Sequence, residues 1–503
     1  MGSITMSTTG RVVIAVALTV AFYVVALGLA ALLGVFVWAE MTHVKHANGR
    51  GVLSACIAIA VILWSVAPRI DRFPDPGVRL QRDRQLALWQ LIEAVAQATR
   101  QAMPAEVFLV GDVNAFVAQR GGIAGIGSRR VLGIGLPLLQ LLTVAQVRAV
   151  LAHEFGHFHG GDTKLGPWIY KTRGAIVRTV NNFARVGSWL HLPFRWYAKL
   201  FLRVTQAVSR RQELAADALS VAVAGPAAAK GALQAISSGA PMFDFYLRHE
   251  YLGALDGGVR PPLLDGFRRF LGSPKMQELR AGFAERALAE KVDPYDTHPP
   301  LAERLAAVDA LAQSPGAAHG AAARAAAGGD ASAATLLTGL PEAELELLRF
   351  QVRGSDLGKL PAVGWDAVAD ITLPKHWREV AFEHAGKLPA LTVAEFAAQR
   401  ERVPQLAAAL RQPGKDTERL AHARHVLCAL LAFRLHAAGF AVNSPPGYPV
   451  VLFRGERALQ PFDLLDPVDQ GGISDDAWRA LCTEERIGEL PLAGPAARPP
   501  SAK

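Results

Sequence analysis

His153-Glu154-Phe155-Gly156-His157 is the segment of this 503-residue chain whose residue types and spacing can do chemistry. Residues four apart on an α-helix differ by about 40° in direction, so His153 and His157 leave one face and can share a metal ion. Glu154 sits about 100° round from His153, within reach of a water on that ion. Two imidazoles, a water and a neighbouring carboxylate are the parts of a hydrolytic zinc site, in which the metal acidifies the water and the carboxylate takes its proton. A catalytic zinc normally takes three side chains and keeps the fourth position for water. A third ligand is therefore needed.

The sequence builds a helix under these residues. Thr143-Val144-Ala145-Gln146 reads as a capping box, and Val147, Val150, Leu151 and Phe155 follow at helical spacing. The best third ligand is Glu213, in Ser209-Arg210-Arg211-Gln212-Glu213-Leu214-Ala215-Ala216-Asp217. Glu213 and Asp217 are four apart and share a helix face, so Glu213 can take the metal while Asp217 holds the free ring N–H of one histidine. The same residues also read as a solvated helix face carrying Arg210 and Arg211. Other histidines stay out of the site. His159 is six residues beyond His153, about 240° round the helix, and points away. His422 and His425 are three apart on a helical stretch, but no carboxylate or thiol cluster accompanies them, and they read as surface polar residues.

Four segments together resemble a family. Asp112-Val113-Asn114-Ala115-Phe116, the histidine motif, the Ser209 to Asp217 segment and Asp296-Thr297-His298-Pro299-Pro300-Leu301-Ala302-Glu303-Arg304-Leu305 stand in the order of the corresponding motifs of the HtpX-like membrane zinc metallopeptidases, relatives of the CAAX prenyl endopeptidases. The resemblance implies a zincin-like domain and one Zn2+ held by His153, His157 and Glu213. It also implies a polypeptide substrate, with Glu154 as the base that later returns its proton to the leaving amine. His298 and Asn114 are then candidate donors to the carbonyl oxygen as it gains charge; His298 reads equally as a helix-start residue before Pro299. Relatives carry further transmembrane helices before the third ligand. Here Lys164, Lys171, Arg173, Arg178, Arg185, Arg195, Lys199 and Arg203 interrupt that interval, which argues against the prenyl-protease branch. Ile176, Val180 and Phe183 at helical spacing, with Trp168, Trp189, Trp196 and Tyr197 among the cations, suit an amphipathic helix packed on the catalytic core or one resting on an anionic membrane surface.

The membrane itself is written into the first seventy residues. Residues 12–39 carry no charge, and 28 residues of helix reach about 42 Å, more than a hydrocarbon core of about 30 Å. Residues 51–68 form a second uncharged run of about 27 Å, near the lower limit for a span. The first run is too long for a signal-peptide core and ends without a small-residue cleavage site. Arg69, Arg72, Arg79, Arg82 and Arg84 follow the second run, against Lys45 and Arg50 in the connecting loop. That bias places the catalytic domain in the cytoplasm of a two-span cell-membrane protein.

Composition bounds the remainder. The chain is long enough for two or three domains. Its net charge of +9 suits a neighbour of a lipid bilayer, and the dispersed Arg residues without a recognition motif exclude nucleic acid as a partner. Cys56, Cys428 and Cys482 lie far apart and form neither a disulfide framework nor a zinc knuckle, as in a reducing compartment. The expected fold is mainly α (α+β). It has a transmembrane helical hairpin anchor over 1–80, and a metallopeptidase domain over 81–313 with a small β-sheet (strands 107–110 and 131–134) beside the motif helix. An Ala/Gly-rich linker over 314–339 leads to a mostly helical C-terminal accessory domain over 340–503, whose tail is disordered. Within the accessory domain, helices are expected over 342–350, 393–402, 420–438 and 475–482, with a strand at 448–453 turned by Gly455. An exposed strand edge shaped by Asn114 to Phe116 and the glycine-rich loop 121–127 would suit an extended substrate; the glycines read also as a plain turn. Two functions fit: a membrane-anchored zinc endopeptidase, which the resemblance ties to membrane protein quality control, and a non-proteolytic membrane scaffold with a structural zinc. Glu154 separates them, because a scaffold has no use for a carboxylate beside the metal's water.

Overall fold

A computed structural model describes residues 8–43, 48–67, 74–121, 127–158, 166–185, 191–291, 298–313, 331–384, 386–410 and 413–493. The linker through residue 330, the tail from 494, residues 122–126 of the glycine-rich loop, Lys45, Arg69, Arg72, His159, Lys164, Trp189, Asp296 and Thr297 lie outside the described residues, as do the side chains of Trp168 and Lys171. The fold is 69% helical with small sheets, mainly α as the sequence implied.

Two apolar helices open the chain, α1 (Thr8–His43) and α2 (Gly49–Val66), both long and apolar enough to cross a membrane. Next come β1 (Val78–Arg79), α3 (Leu86–Thr99), β2 (Glu106–Val110), β3 (Ala115–Arg120), β4 (Arg129–Gly135), α4 (Leu136–Leu141) and α5 (Val144–Gly156). The sheet runs in the order β1-β2-β4-β3, with β2 and β4 parallel and β3 antiparallel to β4, so β3 is an edge. β2 and β4 bury Val, Phe, Leu and Ile, which is why the sequence shows them as apolar runs; β3 is only partly buried. Gly121 and Gly127 take φ of 74° and 76°, at either end of the β3–β4 connection.

The basic interval forms α6 (Gly166–Arg185) and the first half of α7 (His191–Ala224). It packs on the apolar hairpin, where Ala175, Ile176, Phe183, Phe194 and Phe201 close against Phe22, Ala26, Ala30, Ala58 and Ile62. Arg178 donates to Ser65 O and Asn182 to Ser65 Oγ, each at 3.1 Å. The second half of α7 packs on the catalytic core, where Ser220 and Ala216 meet α5. α8 (Pro226–Tyr246) follows.

The chain divides into two compact units, Met1–Ala240 with Gly282–Gln351 and Pro241–Ala281 with Val352–Lys503. The helix Leu340–Gln351, which the sequence reading assigned to the accessory part, belongs to the first unit. The chain leading to it is tied there: Val144 N–H donates to Ala331 O, Ala333 N–H to Leu142 O, and Gln85 pairs with Thr338. Residues 241–281 belong to the second unit, where Ser273 Oγ donates to Gly447 O and Trp365 Nε1 to Pro262 O. That unit is built round the helix Asp416–Ala437, with Trp377, Phe396 and Trp478 buried in its core. Its three-stranded sheet pairs Ala441–Asn443, Val451–Arg454 and Arg457–Leu459. The expected helix over 393–402 is instead two 3-10 turns, Val393–Glu395 and Ala397–Arg402. Pro404 lacks the amide that would carry an α-helix on from Arg400.

Candidate metal centre

α5 and α7 build the centre because they approach closely. Gly156 permits this: a Cβ there would lie 2.8 Å from Ala216 Cα. Ser220 Oγ donates to Ala149 O at 2.8 Å and pins the second helix to the first. The capping box of α5 forms as the sequence reads, Thr143 Oγ1 accepting from Gln146 N–H and Gln146 Oε1 from Thr143 N–H. His153 then lies in the last turn of α5, and His157 is its C-cap.

Across this contact the ligand candidates converge. Glu213 Oε2 stands 3.5 Å from His153 Nε2, and Oε1 stands 3.6 Å from His157 Nε2. Ligands about 2.1 Å from a tetrahedral zinc stand about 3.4 Å from one another, so these separations fit that ion. Donor atoms of His153, Glu154 and His157 lie within 4.8 Å of one another. Glu213 Oε2 is buried without a well-directed hydrogen bond, although His298 Nδ1 is 3.0 Å away. A buried carboxylate oxygen left this way is costly until a cation meets it. Behind the ligands, Asp217 Oδ1 is 2.9 Å from His153 Nδ1, and Arg304 reaches both Asp217 oxygens at 2.7 and 2.8 Å. A proton on Nδ1 facing Asp217 leaves the Nε2 lone pair towards Glu213.

Residues 82–312 match the model of peptidase family M48. They are an HtpX-like M48 metallopeptidase domain. The Protease HtpX homolog of Chlorobium phaeobacteroides (strain DSM 266) is 25% identical over 285 residues, 52% of this chain and 82% of the relative. That of Janthinobacterium sp. (strain Marseille) is 25% identical over 284 residues, 52% of this chain and 81% of its own length. No solved structure matches the chain significantly. With its two apolar helices, the protein is a membrane-associated metallopeptidase.

The charges of the M48 domain favour a cation between its helices. Burial disfavours a proton on His153, but its contacts with Asp217 and Glu213 and the charge of Glu154 outweigh it and hold the imidazole at about 9. Burial, together with the charge on His153, pushes His157 down to about 4. Burial raises Glu154 to about 7, helped by Glu213 and opposed by His153 and the Val117 amide. Burial would raise Glu213 and Asp217 as well. Contacts with His153 and His298 hold Glu213 far below the usual range, and Arg304 and His153 hold Asp217 below it.

Asn114 and His298 line the same cleft of about 360 Å³ as His153, Glu154 and Asp217. Every site residue named from the sequence thus lies at this centre or on its cleft. Arg304, Gly156 and Ser220 were missed. Arg304 was visible inside the Pro-Pro motif, four residues after the helix-starting Pro300. Gly156 and Ser220 act through helix contact, which linear spacing does not reveal.

Proposed function

We propose that the M48 domain is a zinc-dependent endopeptidase that cleaves membrane or misfolded polypeptides, in the service of membrane protein quality control. The observation that carries this reading is the pairing of two imidazoles and Glu213 with Glu154, a carboxyl held near neutrality. Zinc, when bound by His153, His157 and Glu213, supplies Lewis acidity: it acidifies water and polarises the carbonyl under attack. Glu154 takes the water's proton and later delivers it to the leaving amine. His298 and Asn114 donate to the carbonyl oxygen as it gains charge. Asp217, clamped by Arg304, fixes the ring of His153.

The substrate lies extended along β3. As the edge of its sheet, β3 offers outward backbone groups to a passing chain, and Ala115 of this strand lines the cleft. Arg79, Arg82 and Arg84 on the catalytic side of α2 support a cytoplasmic domain. A non-proteolytic scaffold is disfavoured because Glu154, half-buried beside the metal-binding face, would be a cost without a use. The purified chain is expected to hold one zinc and to cleave casein. Glu154→Gln is expected to keep the metal and lose cleavage; a variant as active as wild type ends the assignment of the base.

A further inference from the structure

α2 and α6 leave a groove of about 500 Å³ between them, a size that holds a ligand molecule. One wall is Ile57, Ala60, Val61 and Trp64 of α2; the other carries Asn182 and Arg185 of α6. Ile57 and Trp64 are 43% and 68% exposed, on a helix apolar enough to sit in hydrocarbon. Ile57 lies nine residues inside the end of α2 at Val66, about 13 Å along the helix. Arg185 is therefore held against the membrane-crossing stretch and not past its end.

A guanidinium beside hydrocarbon is costly unless an anion or water meets it. Neither α2 nor α6 contains Asp or Glu, and none occurs between Asp162 and Glu213. The nearby cation Arg178 is engaged by Ser65 O, and Asn182 uses one amide hydrogen on Ser65 Oγ. Among the described residues, neither wall of the groove offers Arg185 a carboxylate, so an anion from another molecule suits it. An apolar wall accepts an acyl chain, and the planar fork of an arginine matches phosphate. On α7, Lys199 lies over the 70%-exposed ring of Trp196, a cation and aromatic pairing suited to the head-group level. We propose that this groove binds an anionic phospholipid, its acyl chain against Ile57, Ala60 and Trp64 and its phosphate on Arg185. The inference does not depend on the peptidase chemistry.

The test uses the full chain extracted from vesicles of equal phosphatidylglycerol and phosphatidylcholine, with retained lipid read by native mass spectrometry. Wild type is expected to retain phosphatidylglycerol preferentially. Arg185→Gln should lower that retention about fivefold, the worth of one basic residue at an anionic surface. Arg185→Lys should recover part of it. Ala60→Phe, an exposed position that fills the groove, should lose the lipid with Arg185 intact. Arg203→Gln, outside the groove, should change nothing, and its melting temperature in phosphatidylcholine should match that of the other variants. Equal retention of the two lipids, full retention by Ala60→Phe, a loss in Arg203→Gln as large as in Arg185→Gln, or a polypeptide held in place of lipid would overturn the proposal.

Discussion

Two helices of this protein each carry a pair of histidines about one turn apart, His153 with His157 and His422 with His425, and what the facing helix brings to each pair differs. His153 and His157 on α5 face α7, which brings Glu213 and Asp217 to their ring nitrogens. His422 and His425, on the helix Asp416–Ala437 of the other unit, face the helix Trp365–His384, which brings more histidines. There the rings of His384 and His422 are 5.7 Å apart, and those of His376 and His425 are 5.9 Å apart. The electrostatics diverge accordingly. Carboxylates lift His153 to about 9, whereas burial first, and neighbouring imidazoles second, lower His425. Spacing along one helix offers ligands; the helix opposite decides whether a cation is welcome there.

The largest break in that comparison should come from Gly156→Ala. The added methyl would meet Ala216 Cα at 2.8 Å and must push α7 away, withdrawing Glu213 from the imidazoles. Zinc content by atomic absorption is expected to fall from one per chain towards none, with cleavage lost as well. Wild-type zinc content in this variant would show that helix approach is not what delivers Glu213. A smaller effect is expected from Arg304→Met, which leaves all three ligands but frees Asp217 from its clamp. Zinc affinity, measured by competition with a chelator, should weaken by about 10- to 100-fold. As the counterpart, replacing His422 and His425 together by Ala should leave zinc stoichiometry untouched; a loss of bound metal would give the second pair a role that its surroundings do not support.

The sequence was legible where chemistry is local. Capping at Thr143, the repeat of His153 and His157, and the four-residue step from Glu213 to Asp217 are all written within a helical turn or two. The two buried strands showed themselves as apolar runs, but β3, only partly buried along its length, was read as a strand-edge segment and not as a strand. Position in three dimensions was the hard part. The basic interval read as an amphipathic helix on the catalytic core or on a membrane surface, and Ala175, Ile176 and Phe183 of α6 seat it on α1 and α2. Segments 241–281 and 340–351 joined units other than those expected, since the hydrogen bonds of Ser273 and Gln85 span more than a hundred residues. Arg304 needed the same long view: it acts on Asp217, 87 positions earlier in the chain.

The smallest expected effect tests the second histidine group by removing it. His384 is 3% exposed, and its Nδ1 has no hydrogen-bond partner among the described residues, so the ring carries a desolvation cost. The groups around it are Glu383, 3.8 Å from Nε2 and largely exposed, with Lys387 and His422. Burial lowers its pKa from the usual value near 6.5. The unfolded chain therefore takes the proton first as pH falls, and stability is fully present above about 6.5 and declines below it. His384→Leu removes both the orphaned nitrogen and this proton uptake. Urea unfolding followed by tryptophan fluorescence should show a gain of about 1 kcal/mol at pH 7.5 and a shallower loss at pH 5.5 than in wild type. At His153 the equivalent replacement would remove a ligand. If His384→Leu instead destabilised the protein and took zinc with it, the contrast between the two histidine groups would fail.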